Sequence, residues 1–288
     1  MNRKTVSAFS IQRLALIACC SFISTLSFSQ YYYNDILSNI QSNKNYNAMK
    51  DAAVKTVTVT HYDNNDELQN DLKIEQTFNK DYSSLESKTI TADKVRPMLL
   101  LNHYENNRII KSEDTHDSVN TIVNYKYNTS GLLEHIISYT NDTTIVSESL
   151  ETHQWFYNER GRVIYMLKIK NKRDTTKVEL VYDKDSLITE ENWFRKGKVM
   201  ETYYYYYNDK KQLSDIVRFN NRAKRLLPDY LFEYDAIGNV QSMTQVPAGS
   251  SNYMIWQYIY TDKGLKKQDN CFTKQRQLIG KMKYEYTY

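Results

Sequence analysis

One short motif recurs along most of this chain: an aromatic residue, any residue, Tyr, then Asp or Asn, and three residues later often Gly. Asp and Asn side chains accept backbone hydrogen bonds in turns, and Gly adopts the left-handed conformation without strain. A type I turn followed by a left-handed Gly is a common hairpin connection. The motif therefore predicts a β-hairpin tip in each copy. The structural residues of the repeat are Tyr127, Gly131, Tyr157, Gly161, Tyr182, Tyr207, Tyr234, Gly238, Tyr260 and Gly264.

From Tyr157 onward the repeat tyrosines are spaced by about 25 residues, the length of two strands and two turns. The flanking residues alternate in polarity, as in the segment from Val163 to Lys170. The chain is rich in Tyr, which favours strands, and contains only 7 Gly and 3 Pro. We predict an all-β fold: an antiparallel β-meander of roughly 16 to 18 strands in a curled sheet.

The N-terminal segment has the features of a secretory signal peptide. Arg3, Lys4 and Arg13 precede an apolar run, and Ser27 and Ser29 stand where a signal peptidase requires small residues. We predict a signal peptide over 1–29 and therefore export to the periplasm, the outer membrane or the exterior. A lipid anchor at Cys19 is the alternative, although the apolar run before that residue is short.

Removal of 1–29 changes the charge and the cysteine content. The remaining 35 Lys and Arg nearly balance 34 Asp and Glu, so no global field attracts nucleic acid. Cys271 is the one cysteine left after this cleavage, and we expect it to be a buried thiol.

Two regions follow the predicted leader. Residues 30–56 contain Ile36, Leu37, Ile40 and Met49 at helical spacing, which predicts a short helical segment that could cap the first edge of the sheet. Residues 57–288 form the hairpin-repeat domain. The mature sequence contains no apolar run long enough to predict a transmembrane helix.

The repeat resembles the YD repeats of the RHS family, most clearly in Phe232-x-Tyr234-Asp235-x-x-Gly238. The resemblance covers about Val57 to Tyr288. It implies long curling β-sheets that build shells or scaffolds in secreted proteins, some of which enclose a C-terminal toxin. Here we expect no toxin segment after the repeats, and Ser186 and Lys211 replace the glycine. The resemblance therefore implies architecture and little about activity.

The sequence contains no motif that requires catalysis. It lacks a nucleophile elbow, a phosphate-binding loop and metal-ligand spacing among its histidines. His61 and His103 occupy equivalent repeat positions and could share a face, but a solvated strand surface is the simpler expectation. We therefore predict no catalytic, cofactor-binding or metal-binding residues, no cofactor and no enzymatic activity.

The residue before each repeat tyrosine should point away from the core. At three consecutive repeats this residue is Phe156, Val181 or Tyr206, and Tyr204 shares the same face. An outward apolar row is a candidate contact surface, unless the N-terminal helix or a second sheet layer covers it.

Three functions remain open from the sequence. The first is an exported, non-enzymatic scaffold that binds a protein of the cell envelope through Phe156, Val181, Tyr204 and Tyr206. The second is a carbohydrate-binding module whose tyrosines stack on sugar rings. The third is an outer-membrane β-barrel, against which we count charges that occur on both strand faces: Lys126, Glu179, Glu201, Asp215, Arg218 and Glu233.

Overall fold

The computed structural model describes residues 31–94, 96–220, 223–247, 250 and 252–288; the predicted leader 1–29 lies outside them. Within these ranges one helix, α1 (Asn34–Asp51), precedes eighteen strands. The strands are β1 (Thr56–Asp63), β2 (Leu68–Phe78), β3 (Ser84–Thr91), β4 (Met98–Glu105), β5 (Arg108–His116), β6 (Val119–Tyr127), β7 (Leu133–Asp142), β8 (Ser147–Tyr157), β9 (Val163–Lys170), β10 (Asp174–Tyr182), β11 (Ile188–Arg195), β12 (Lys198–Tyr207), β13 (Leu213–Asn220), β14 (Arg225–Tyr234), β15 (Val240–Gln245), β16 (Met254–Tyr260), β17 (Lys266–Thr273) and β18 (Leu278–Thr287).

The sheet closes into a barrel. Each strand pairs antiparallel with its neighbour in sequence, as a meander requires, and β1 also pairs with β18 over its whole length, from Thr56 opposite Thr287 to Asp63 opposite Gly280. The all-β antiparallel prediction is confirmed. The predicted curled sheet is more exactly a closed barrel, because pairing of the two terminal strands satisfies backbone groups that an open edge would expose.

One face of the sheet is buried around the barrel. Trp155, Met166, Val178, Tyr203 and Met282 are each at most 1% exposed, and they come from five different strands. In a closed sheet this buried face is the inner one. The residues between them in sequence face outward.

Helix α1 packs against this inner face. It has 18 residues and is therefore about 27 Å long. Tyr46 stacks on Tyr104 with ring centroids 3.8 Å apart, and Ile36 and Leu37 pack against the core that contains Trp155. Because β1 has a strand on either side, no sheet edge is left for α1 to cap. The helix instead fills the interior near one end.

The repeat turns after Tyr127, Tyr157, Tyr182, Tyr207, Tyr234 and Tyr260 lie at that end, which we call the repeat end, whereas the similar turn after Tyr62 lies at the other end. In each turn the Asp, Asn or Thr accepts backbone hydrogen bonds, as when Asn158 accepts one from Arg162. The glycine position has positive φ even where glycine is absent: Ser186 is at 71° and Lys211 at 60°. Turn geometry, rather than residue type, is therefore common to the repeats.

Two glycines of this set allow a matched test. A Cβ on Gly131 would clash with Nη1 of Arg108, whereas nothing lies within 4 Å of one on Gly264. Both have positive φ, so alanine at either position costs about 1–2 kcal/mol of stability in backbone strain. We expect Gly131→Ala to be the more destabilising in urea unfolding, because Arg108 must also move. Equal losses would show that the Arg108 contact contributes nothing.

Candidate functional site

The four residues of the predicted contact row lie on the outer face of β8, β10 and β12. Each alternates with a buried neighbour: Tyr204 stands between Tyr203 and Tyr205, which are 0% and 3% exposed. Val181 and Tyr206 are 42% and 48% exposed, and Phe156 and Tyr204 are half-buried.

The register brings only two of these residues into one cross-strand row. Val181 lies opposite Glu190, which lies opposite Tyr204 on the next strand. Phe156 belongs to the row that passes through Tyr165, and Tyr206 to the row that passes through Asp215. This stagger is the shear that closure of a barrel imposes. The four residues therefore form a diagonal across three rows, with Glu190 between Val181 and Tyr204.

A fifth residue, Tyr165, is also aromatic and extends this surface. Tyr165 stacks on Phe156 with centroids 4.4 Å apart, and Nζ of Lys177 lies 5.0 Å from the Tyr165 ring. Tyr165 was not predicted for this surface because a bulge opposite Tyr157 shifts β9 by one residue. We call Phe156, Tyr165, Val181, Tyr204 and Tyr206 the outer aromatic surface. Helix α1 does not cover it, because the helix lies on the inner face.

The repeat tyrosines have a structural role that their spacing did not reveal. Their side chains face inward, and their hydroxyls donate to backbone carbonyls at or beside the start of a strand in the previous hairpin. These bonds run from Tyr127 to Ile109, Tyr157 to Leu133, Tyr182 to Val163, Tyr234 to Leu213, Tyr260 to Val240 and Tyr286 to Lys266, at 2.5 to 3.0 Å. Each hairpin is therefore fastened to the one before it.

A buried carboxylate holds the start of the described chain. Glu191 is 0% exposed. It accepts the backbone N–H groups of Tyr32 and Tyr33 at 2.6 and 2.9 Å, Nε1–H of Trp193 at 2.5 Å and the hydroxyl of Tyr205 at 2.7 Å. Burial raises the pKa of Glu191, and the donated hydrogen bonds lower it in part. This carboxylate anchors the segment that leads into α1.

A second inner cluster links α1 to the barrel wall. His153 lies between two carboxylates, with Nδ1 2.6 Å from Asp35 and Nε2 3.0 Å from Glu151, and Lys168 lies 3.2 Å from Glu151. Burial opposes a charge on the imidazole, but the two carboxylates outweigh it and raise the pKa of His153 to about 9. Both ring nitrogens are occupied, so this imidazolium has no free nitrogen for proton transfer. Its role is to bind the helix.

Side-chain amides anchor the rest of α1. Nδ2 of Asn39 donates to the Tyr127 hydroxyl at 2.8 Å, and Oδ1 of Asn43 accepts the backbone N–H of Ile109 at 2.9 Å. A groove of about 470 Å³ lies beside these contacts. Because the amides are engaged by the barrel, we assign them to holding the helix.

The histidines do not form a metal site within the described ranges, where no group of three or more His, Cys, Asp or Glu residues is placed to hold a metal ion. His61 faces inward and pairs with Asp71 at 2.7 Å, whereas His103 pairs with Glu113 at 2.9 Å. The two equivalent repeat positions therefore do not share a ligand. In the same part of the chain, no helix is both long and apolar enough to cross a membrane.

These features define a class of protein: a closed eighteen-stranded antiparallel β-barrel with its own helix inside. No known protein family and no curated protein matches the sequence. Among solved structures, the TcdB2–TccC3–Cdc42 complex is 13% identical with a TM-score of 0.35, over 75% of this chain but only 12% of that one. A porin-like protein from Bacteroides uniformis is 6% identical with a TM-score of 0.39, over 81% of this chain and 98% of the other. Another from Bacteroides vulgatus is 10% identical with a TM-score of 0.31, over 81% and 99%.

With identities and TM-scores this low, the likeness to these structures does not indicate a function for this chain. The architecture of this chain rests on its own strand pairing, and the resemblance to the RHS family stays an interpretation of the repeat spacing.

Proposed function

We propose that this chain is a non-enzymatic β-barrel of the cell envelope that binds a partner protein through the outer aromatic surface. The observation that carries the proposal is the division of the sheet into two faces. The inner face is filled by α1 and by the repeat tyrosines, while Tyr206 and Val181 stay about half exposed on the outer face. Exposed aromatic and aliphatic side chains together are typical of protein interfaces.

The second candidate is an outer-membrane barrel. The closed sheet supports this candidate more strongly than the sequence pattern did. The strands have 6 to 11 residues, and the longer ones can cross a bilayer when tilted. A lipid-facing surface must, however, be apolar along its middle. Here ion pairs face outward near the centres of three strands: Lys73–Glu75 at 2.7 Å, Lys111–Glu113 at 3.0 Å and Lys177–Glu179 at 2.7 Å.

The charges that first argued against a membrane barrel divide between the faces. Glu201 and Arg218 face inward, 4.0 Å apart, and so would not oppose a lipid-exposed exterior. Glu179 and Asp215 face outward. The outward ion pairs lead us to favour an aqueous barrel that binds a partner.

Carbohydrate binding is the third candidate, and the same surface would serve it. The Tyr206 ring is 48% exposed, and its outward neighbour Asp215 supplies carboxylate oxygens that accept sugar hydroxyls. A polysaccharide screen of the purified protein tests this candidate.

The main test is a pull-down from envelope extract with protein expressed from the full-length chain, so that any processing occurs. We expect the native protein to retain a partner protein that the Tyr204→Ser/Tyr206→Ser variant does not retain. Tyr139→Ser is the matched control, because Tyr139 is an outward tyrosine of β7 and 37% exposed. Folded variants that retain the same protein would contradict the proposal, and a protein that stays folded only in detergent would favour the membrane barrel.

A further inference from the structure

The end of the barrel opposite the repeat end carries exposed apolar side chains on three of four successive hairpins. In the turn between β7 and β8, Ile145 and Val146 are 70% and 91% exposed. At the start of β12, Val199 and Met200 are 55% and 60% exposed. Phe219 and Leu226 form a cross-strand pair at the end of β13 and are 46% and 43% exposed.

Val146 is strained as well as exposed. Its φ is 49°, in the left-handed region, where a β-branched residue is an outlier. Asn, Asp or Gly would occupy this hairpin tip without that cost. An apolar residue held in a strained conformation in full contact with solvent points to a role outside the fold.

This sector of the end is basic. Six exposed cations lie in or directly beside the three turns that follow: Lys172, Arg173, Lys196, Lys198, Lys224 and Arg225. None of the six forms an ion pair with a carboxylate in the described ranges. Arg195 neutralises Asp174 at 2.5 Å, which leaves Asp142 and Glu148 beside the first turn as the nearby acids.

We propose that these four turns, from Ile145 to Leu226, form a rim that docks on the surface of an anionic lipid bilayer. We call them the basic rim. The apolar tips enter the boundary between headgroups and acyl chains, and the cations pair with lipid phosphates. Peripheral membrane binding combines buried apolar area with electrostatic attraction in this way. Each cation near an anionic surface adds to this attraction.

The turns at the repeat end carry mixed charge instead. Asp183, Asp185, Asp209, Asp235 and Asp262 stand there beside Lys184, Lys210, Lys211 and Lys263, so these turns lack the one-sided positive charge of the basic rim. Docking through the basic rim places that end of the barrel against the membrane and leaves the outer aromatic surface in water. The proposal concerns a different surface from the partner-binding site and does not depend on it.

The test is co-sedimentation of the full-length-expressed protein with phosphatidylcholine vesicles, with and without phosphatidylglycerol. We expect binding only when phosphatidylglycerol is present. Lys196→Glu/Lys198→Glu should weaken this binding by at least about tenfold, because it removes two attractive charges and adds two repulsive ones. Val199→Ser/Met200→Ser should also weaken it while leaving binding to soluble heparin unchanged.

The matched control is Lys210→Glu/Lys211→Glu, which reverses two exposed cations in a single turn at the repeat end. We expect this control to retain vesicle binding. An equal loss with the control, equal binding to pure phosphatidylcholine, or no loss with the Val199/Met200 variant would overturn the proposal. If the rim variants misfold by circular dichroism, Lys172→Glu/Arg173→Glu in the neighbouring turn supplies the same comparison.

Discussion

Replacing His153 by leucine is expected to lower the free energy of unfolding by about 3–5 kcal/mol, the range seen when one partner of a buried ion pair is removed. The His153 side chain is 14% exposed and lies between Asp35 and Glu151. Without it the two carboxylates would face each other with Lys168 as their remaining cation. Urea unfolding measures the loss. His116→Leu is the control, because that histidine lies 3.8 Å from a half-exposed Asp117.

The same cluster predicts how stability depends on pH. The pKa of His153 rises from 6.5 to about 9 on folding, so its contribution is complete below about pH 6.5 and is lost as pH rises towards 9. The pKa of Glu151 falls to about 2, because His153 and Lys168 outweigh the cost of burial. Its contribution is present above about pH 4.5 and is lost as pH falls towards 2. In the His153→Leu protein, the fall in the free energy of unfolding between pH 6.5 and 9 should disappear. A slope of this free energy against pH that is unchanged in that range would contradict the assignment.

Replacing Glu191 by leucine is expected to cost roughly 3 kcal/mol or more, since it leaves four buried donors without their acceptor. The segment at Tyr32 and Tyr33 should then lose its anchor. We expect faster amide hydrogen exchange at these two residues than in the native protein. Glu190→Leu, on the outer face of the same strand, is the control and should leave both stability and exchange nearly unchanged. Equal exchange in the two variants would show that Glu191 does not hold the segment.

The sequence predicted the local structure of this barrel well. A turn residue at Asn158 and a left-handed position three residues later identify a hairpin from neighbours alone, since both effects are local. The same holds for the inward tyrosines and the outward Tyr204 and Tyr206, because side chains alternate along a strand. The helical spacing around Ile36 and Leu37 likewise predicted α1.

Closure and the inner clusters could not be predicted, because they depend on residues far apart in sequence. Pairing of Thr58 with Glu285 follows from the accumulated twist and shear of eighteen strands. Glu191 lies 159 residues from Tyr32, and neither residue has a local signature of the contact. Tyr165 was missed for a smaller reason, a single bulge that reverses which residues of β9 face outward.

Disulfide cross-linking of the first and last strands tests closure of the barrel most directly. Thr58 and Glu285 are outward-facing partners in the register, so cysteines at both positions lie within disulfide range. We expect rapid formation of an intramolecular disulfide in the Thr58→Cys/Glu285→Cys protein and none in Thr58→Cys/Lys281→Cys, whose residues are out of register. Native Cys271 is buried and should not compete. Failure of the in-register pair to cross-link in the folded protein would contradict the closed barrel and leave an open sheet.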